Sequence, residues 1–178
     1  MDYQPLNTQN KKSAGWPLWP FLFLLLLFSA CKFNPNIQDK GAGFLQGSWA
    51  ETQVDHQDSL LRYQLHDFRF DCDSVYIKIK THSKMKMEAD SCFGNGEWTE
   101  YARGIYIVRN DSLFIEATYT HDNWKQKLSG CHHIGQYLPR FAIAMQSDDS
   151  LELRNLYSKI PVKLARTASS NCVPKQIY

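Results

Sequence analysis

The sequence has no marked excess of either charge: 20 Lys and Arg stand against 18 Asp and Glu, a formal net of +2. That balance excludes the strongly basic surface that nucleic-acid binding requires, and no nucleic-acid partner is expected. Glycine and proline are scarce, at 9 and 7 of 178 residues, which excludes collagen-like and low-complexity chains. Long apolar runs are missing too. The longest, Phe21 to Phe28, falls well short of the ~20 residues a helix needs to cross a bilayer. Chemical signatures are equally thin: there is no Gly-x-Ser-x-Gly, no phosphate-cradling glycine loop, no His-Glu-x-x-His and no Cys-x-x-Cys. Asp and Glu read as turn residues or outward strand positions. No catalytic residue, cofactor or metal site is therefore expected, although Cys131-His132-His133 is the one place where metal ligands cluster in sequence.

The first thirty residues read as an address. Lys11 and Lys12 precede the apolar run, and small residues follow it, which is the layout of a signal peptide. Leu27-Phe28-Ser29-Ala30-Cys31 resembles a bacterial lipobox, with Phe28 where Leu is usual. The resemblance implies cleavage after residue 30 and acylation of Cys31 by several chains, palmitate among them, a firmer hold than the marginal one a single chain provides. The expected organisation is a signal peptide over 1–30, a lipidated N-terminus and Gly/Pro/Asn-containing linker over 31–43, and a folded domain over 44–178. The membrane, inner or outer, is the partner, with the body in the periplasm or at the cell surface.

From Gly47 onward the hydropathy has a period of two, as in half-buried strands. Val75, Ile77 and Ile79 alternate with Tyr76, Lys78 and Lys80; Leu113, Ile115, Ala117 and Tyr119 repeat the pattern, as do Leu151 with Leu153 and Val162 with Leu164. Strands are expected near 47–53, 61–70, 75–81, 84–90, 97–108, 112–120, 138–146, 150–156 and 160–166. One breaks step: Leu61, Tyr63 and Leu65 are apolar at odd positions and Phe68 and Phe70 at even ones, which suggests a bulge near His66 or Asp67. Asp73-Ser74, Asp111-Ser112 and Asp149-Ser150 stand at the foot of apolar strands and read as turns rather than active-site acids. Phe93-Gly94-Asn95-Gly96-Glu97 is a further turn signal. Eight or nine antiparallel strands in this length close naturally into an up-and-down β-barrel, an all-β fold without exposed edges.

Setting Cys31 aside leaves Cys72, Cys92, Cys131 and Cys172, an even number in an oxidising compartment, hence two disulfides. Four cysteines allow three pairings. The strand count returns Cys92 to the end that holds Cys72, so Cys72–Cys92 is favoured and Cys131–Cys172 follows by exclusion. Two surface features remain. Trp98, Tyr101, Tyr106, Tyr119 and Trp124 could line a barrel mouth as a small-molecule site, or serve as core and rim packing. Lys78, Lys80, Lys84 and Lys86 fall on one outer face of an expected hairpin, either as a contact for phosphate-bearing lipid head groups or as a solvated face that guards an edge.

Gly47-Ser48-Trp49 is similar to the Gly-x-Trp motif of lipocalins, which implies that Trp49 closes one end of an eight-stranded barrel. Phe70-x-Cys72-Asp-Ser, Gly104-x-Tyr106-x-Val108-x-x-Asp111-Ser-Leu and Asp149-Ser-Leu-x-Leu153 resemble lipocalin-like lipoproteins of Bacteroidetes-type bacteria. Gly96-Glu97-Trp98-Thr99-Glu100-Tyr101-Ala102 and the stretch from Ser129 to Pro139 look like a subgroup often labelled fumarate hydratase. The Gly-Ser-Ser-x-Met-Pro loop of class II fumarases is absent, and thiols oxidised outside the cytoplasm cannot hold an iron-sulfur cluster, so the residues do not carry that chemistry. The expected function is a non-catalytic binding or envelope-support module for a small apolar ligand. The alternative is a protein-interaction or structural lipoprotein with a filled barrel, its partner another envelope protein.

Overall fold

A computed structural model describes residues 37–87 and 89–176. The strands are β1 (Gly47–Ala50), β2 (Arg62–Asp71), β3 (Ser74–Ser83), β4 (Glu97–Arg109), β5 (Ser112–Thr120), β6 (Gln136–Tyr137), β7 (Arg140–Gln146), β8 (Ser150–Asn155) and β9 (Val162–Ser169). All pairings are antiparallel, and the order β4-β3-β2-β1-β9-β8-β7-β5 closes into a ring through β4 and β5. The fold is thus all-β, barrel-like and up-and-down, as the period of two implies. The strands β6 and β7 follow the same edge of β5: Ala117 pairs with Tyr137, and Leu113 with Phe141. The break between them falls at Leu138-Pro139, where proline supplies no N–H to the ladder. At the β4–β5 seam a Cβ on Gly104 would lie 2.0 Å from the Glu116 carbonyl oxygen, so only glycine permits the close approach that shuts the ring.

Three connections gather at one end, and each carries the Asp-Ser echo. Asp73, Asp111 and Asp149 sit in the β2–β3, β4–β5 and β7–β8 turns. Their carbonyl oxygens accept from Tyr106 N, Ile143 N and Arg166 N at 2.9, 2.8 and 2.9 Å, so each turn is tied to the strand beside its hairpin. Above these turns the interior is filled by Leu45, Trp49, Phe68, Phe70, Val75 and Leu113, all essentially inaccessible. Trp49 Nε1 donates to the Leu45 carbonyl at 2.8 Å, and the Arg166 guanidinium lies 4.1 Å over the indole. Arg166 also donates to the carbonyls of Gln46 at 2.6 Å, Phe44 at 2.7 Å and Asp148. Residues 37–43, expected as linker, lie against this end: Ile37 bridges to Gln176, and Gln38 Nε2 donates to Asp73 Oδ1 at 2.8 Å.

Four readings of the sequence are corrected. β2 pairs with β3 residue for residue from Arg62↔Ser83 to Asp71↔Ser74, so there is no bulge at His66 or Asp67. Even-numbered residues of β2 face inward throughout, and the break in hydropathy marks a change in the chemistry of the interior, from Phe70 and Phe68 to His66 and Gln64. No strand forms over the described residues of 84–90; a single helical turn, Asp90–Phe93, stands there instead. Without that strand Cys92 never returns to Cys72. The bonds are therefore Cys72–Cys172, which clamps the C-terminal tail to the β2–β3 turn, and Cys92–Cys131, which joins the β3–β4 and β5–β6 connections at the opposite end.

The lysine face dissolves for the same reason. Lys78 and Lys80 stand on β3 near Asp67 and Glu97, at 3.9 and 3.6 Å, whereas Lys84 donates to the Asp58 carbonyl and Lys86 pairs with Asp90. The segment expected as a signal peptide, 1–30, and Cys31 lie outside the described residues.

Closing loops of 100 and 39 residues, the two bonds are worth about 4.7 and about 4 kcal/mol of unfolded-state entropy in the chain-entropy model. Non-reducing peptide mapping should link Cys72 to Cys172 and Cys92 to Cys131. A Cys72–Cys92 peptide would contradict the strand layout.

Candidate functional site

The end opposite the Asp turns is open. The connections 51–61, 84–96, 121–135 and 156–161 rise there, and a cavity of about 680 Å³ lies among them. Leu60, Leu138 and Ile160 line it beside Arg62, Asn155 and Ser158, and its buried lining combines Glu51 and Tyr119 with the apolar Val54, Ile79, Phe141 and Val162; Gln64 and His66 line it too. This arrangement follows from the inward positions of β2, β3 and β4: nearer the closed end they read Phe, Val or Ile, and Ala, whereas toward the open end they read His66 and Gln64, Thr81, and Glu100.

Two buried carboxylates hold two imidazoles in the same way. Glu51 Oε2 accepts from His66 N at 3.1 Å and from His66 Nδ1 at 2.9 Å. Glu100 Oε1 accepts from His133 N at 2.9 Å and from His133 Nδ1 at 2.8 Å. Each carboxylate side chain is 2% exposed. In both pairs the two-point grip fixes the ring plane and commits Nδ1 as donor, since a carboxylate can only accept. Burial pushes the Glu100 pKa up; the His133 N–H, its imidazole and Trp98 Nε1, at 3.3 Å from Oε2, outweigh that and hold it below its ordinary value. Burial, with Glu100 nearby, pushes the Tyr119 phenol up to about 12, and burial likewise raises Tyr137, so both hydroxyls stay protonated. Counted around the ring, β1 and β5 are four strands apart in either direction, which puts Glu51–His66 and Tyr119 on opposite walls.

The five aromatic residues expected at a mouth are not one group. Tyr119 alone of them lines the cavity. Trp98 stacks on His132 at 4.4 Å beneath the Arg62 guanidinium. Tyr106 is at the closed end, where its hydroxyl accepts from Gln46 Nε2 at 2.8 Å. Tyr101 and Trp124 pack together, with Tyr76 against Trp124, on the outer face. Parity explains the split: on β4, odd positions face out and even positions face in, so Tyr101 and Tyr106 cannot share a surface. Glu51 and Glu100, expected at turns or outward positions, are instead inside. Glu100 shares its parity with Ala102, and that phase is the signal by which it could have been found.

No protein-family model matches the chain, and no curated protein matches it. No helix among the described residues is long and apolar enough to cross a membrane, and those residues contain no group of three His, Cys, Asp or Glu side chains able to hold a metal ion.

Because the folded-state pKa of Glu100 is lowered, its contribution to stability is present above the ordinary carboxylate value and is lost as pH falls through the lowered one. Denaturant melts should show Glu100→Gln less stable than wild type by about 1–3 kcal/mol near neutral pH. The gap should narrow as the pH falls below about 4.5. Parallel curves would contradict this account of the pair.

Proposed function

We propose that this chain is a lipocalin-like lipoprotein of the bacterial cell envelope, tethered through acyl chains on Cys31, whose barrel is a non-catalytic binding module for a small molecule. The cavity of about 680 Å³ at the open end carries this reading, since it falls within the ordinary size range of small-molecule sites. A structural lipoprotein of the kind weighed above calls for a filled barrel. Only the half around Trp49 is filled, which favours the binding role. The apolar lining, Val54, Ile79 and Phe141 with Leu60, Leu138 and Ile160, suits the apolar part of a ligand, and Glu51, His66 and Tyr119 suit a polar group. The tether rests on the sequence from Lys11 to Cys31. It would keep the module at the membrane surface, within reach of molecules that pass between the bilayer and the aqueous phase.

Native mass spectrometry of the protein released from its own membranes tests both halves. The expected species lacks residues 1–30, is acylated on Cys31 and carries a small-molecule adduct that Ile160→Trp, with an indole at the cavity rim, displaces. An intact N-terminus or an unmodified Cys31 would overturn the tether; no adduct, or one indifferent to Ile160→Trp, would overturn the cavity as the site.

A further inference from the structure

We infer that the ligand presents a hydrogen-bond-donating cationic head, a primary ammonium, to the Glu51 carboxylate, and rests its apolar part on the apolar lining of the cavity. This rests on the binding role proposed above and names the ligand class. Among the described residues, every hydrogen bond to the Glu51 carboxylate falls on Oε2, from His66 N and Nδ1. Oε1 makes none, yet it is not sealed in protein, and Glu51 lines the cavity. A carboxylate with one oxygen satisfied twice and the other open to a cavity is a negative charge with acceptor capacity to spare. Burial makes that capacity costly to leave unused and strengthens any charge-assisted bond it forms.

The neighbouring polar atoms have the same sense. His66 commits Nδ1 to Glu51, and its Nε2 makes no hydrogen bond among the described residues. The Tyr119 hydroxyl, on a side chain from a residue only 8% exposed, makes none either. It lines the same cavity and stays protonated. An ammonium brings three donors and one positive charge to the Glu51 wall, which offers an unbonded carboxylate oxygen and one negative charge. A carboxylate head would set two like charges together, and a hydroxyl would supply one donor and no charge. Arg62 also lines the mouth, but its guanidinium lies 5.0 Å over Trp98, whose Nε1 donates to Glu100. Among the described residues the ion-pair partner of Glu51 is His66.

The apolar part is placed by elimination. The closed end is filled by Trp49, Phe68 and Phe70, so a tail stays within the cavity, against the buried Val54, Ile79 and Phe141 and toward Leu60, Leu138 and Ile160.

Titration calorimetry on the mature protein with octylamine, octanol and octanoate separates the head groups at constant tail. Octylamine should bind at least about tenfold more tightly than octanol, as expected of one buried charge-assisted bond, and octanoate more weakly than either. Glu51→Gln should remove that preference, and a thermal melt of the variant checks that it folds. Should the variant unfold, the wild-type series alone decides. Equal binding of the three probes, or tighter binding of octanol or octanoate, would overturn the ammonium head while leaving a binding barrel intact. Binding of none of them would overturn it too, and the adduct experiment would then judge the binding role separately.

Discussion

The contact on which the fold most depends is the Trp49 indole held between the Leu45 carbonyl and the Arg166 guanidinium. Trp49 lies on β1 and Arg166 on β9, neighbours in the ring but far apart in the chain. Arg166 reaches past the indole to the carbonyls of Phe44 and Gln46, so the same cation that covers the ring also fixes the segment leading into β1. A charge that packs on an aromatic face and satisfies backbone acceptors combines two sources of stability in one residue. Around it the apolar core, the Asp turns and the Cys72–Cys172 bond concentrate at one end of the barrel.

That concentration frees the other end from a packing role. Burying Glu51 and Glu100 costs several kcal/mol each before compensation, and each is compensated locally by a histidine that supplies both a backbone and a ring donor, with Trp98 Nε1 as a further donor to Glu100. Such pairs add little net stability and fix geometry instead: both imidazoles are held by Nδ1 with the ring orientation set. The Cys92–Cys131 bond joins two of the connections that form this rim, limiting their motion where few apolar contacts do so. A barrel built this way concentrates its apolar packing at the base and its buried charged side chains toward the mouth.

The strand alternation was plain in the sequence because inward residues of β3, β5, β8 and β9 are apolar at every second position. The Asp-Ser turns were readable for the same reason. The site was not. Its residues are inward but polar, and a polar residue at an inward position looks, by periodicity, like an outward one; on that ground Glu100 falls on the outer face and His66 in a bulge. The pairing of the cysteines failed with the strand expected over 84–90, because one absent crossing moves Cys92 to the other end of the molecule. The histidine partner of Glu100 comes from the β5–β6 connection, thirty-three residues on, and no local pattern signals such a contact.

The separation of a stabilising base from a chemical mouth is tested most directly by thermal melts of Trp49→Ala beside Leu138→Ala in the mature protein. Trp49 is 1% exposed, and its removal should cost about 3–5 kcal/mol, the range for a buried large aromatic. Leu138, at the rim and 55% exposed, should change stability by no more than about 0.5 kcal/mol. Equal losses in the two variants, or a Trp49→Ala protein that melts like wild type, would contradict the account.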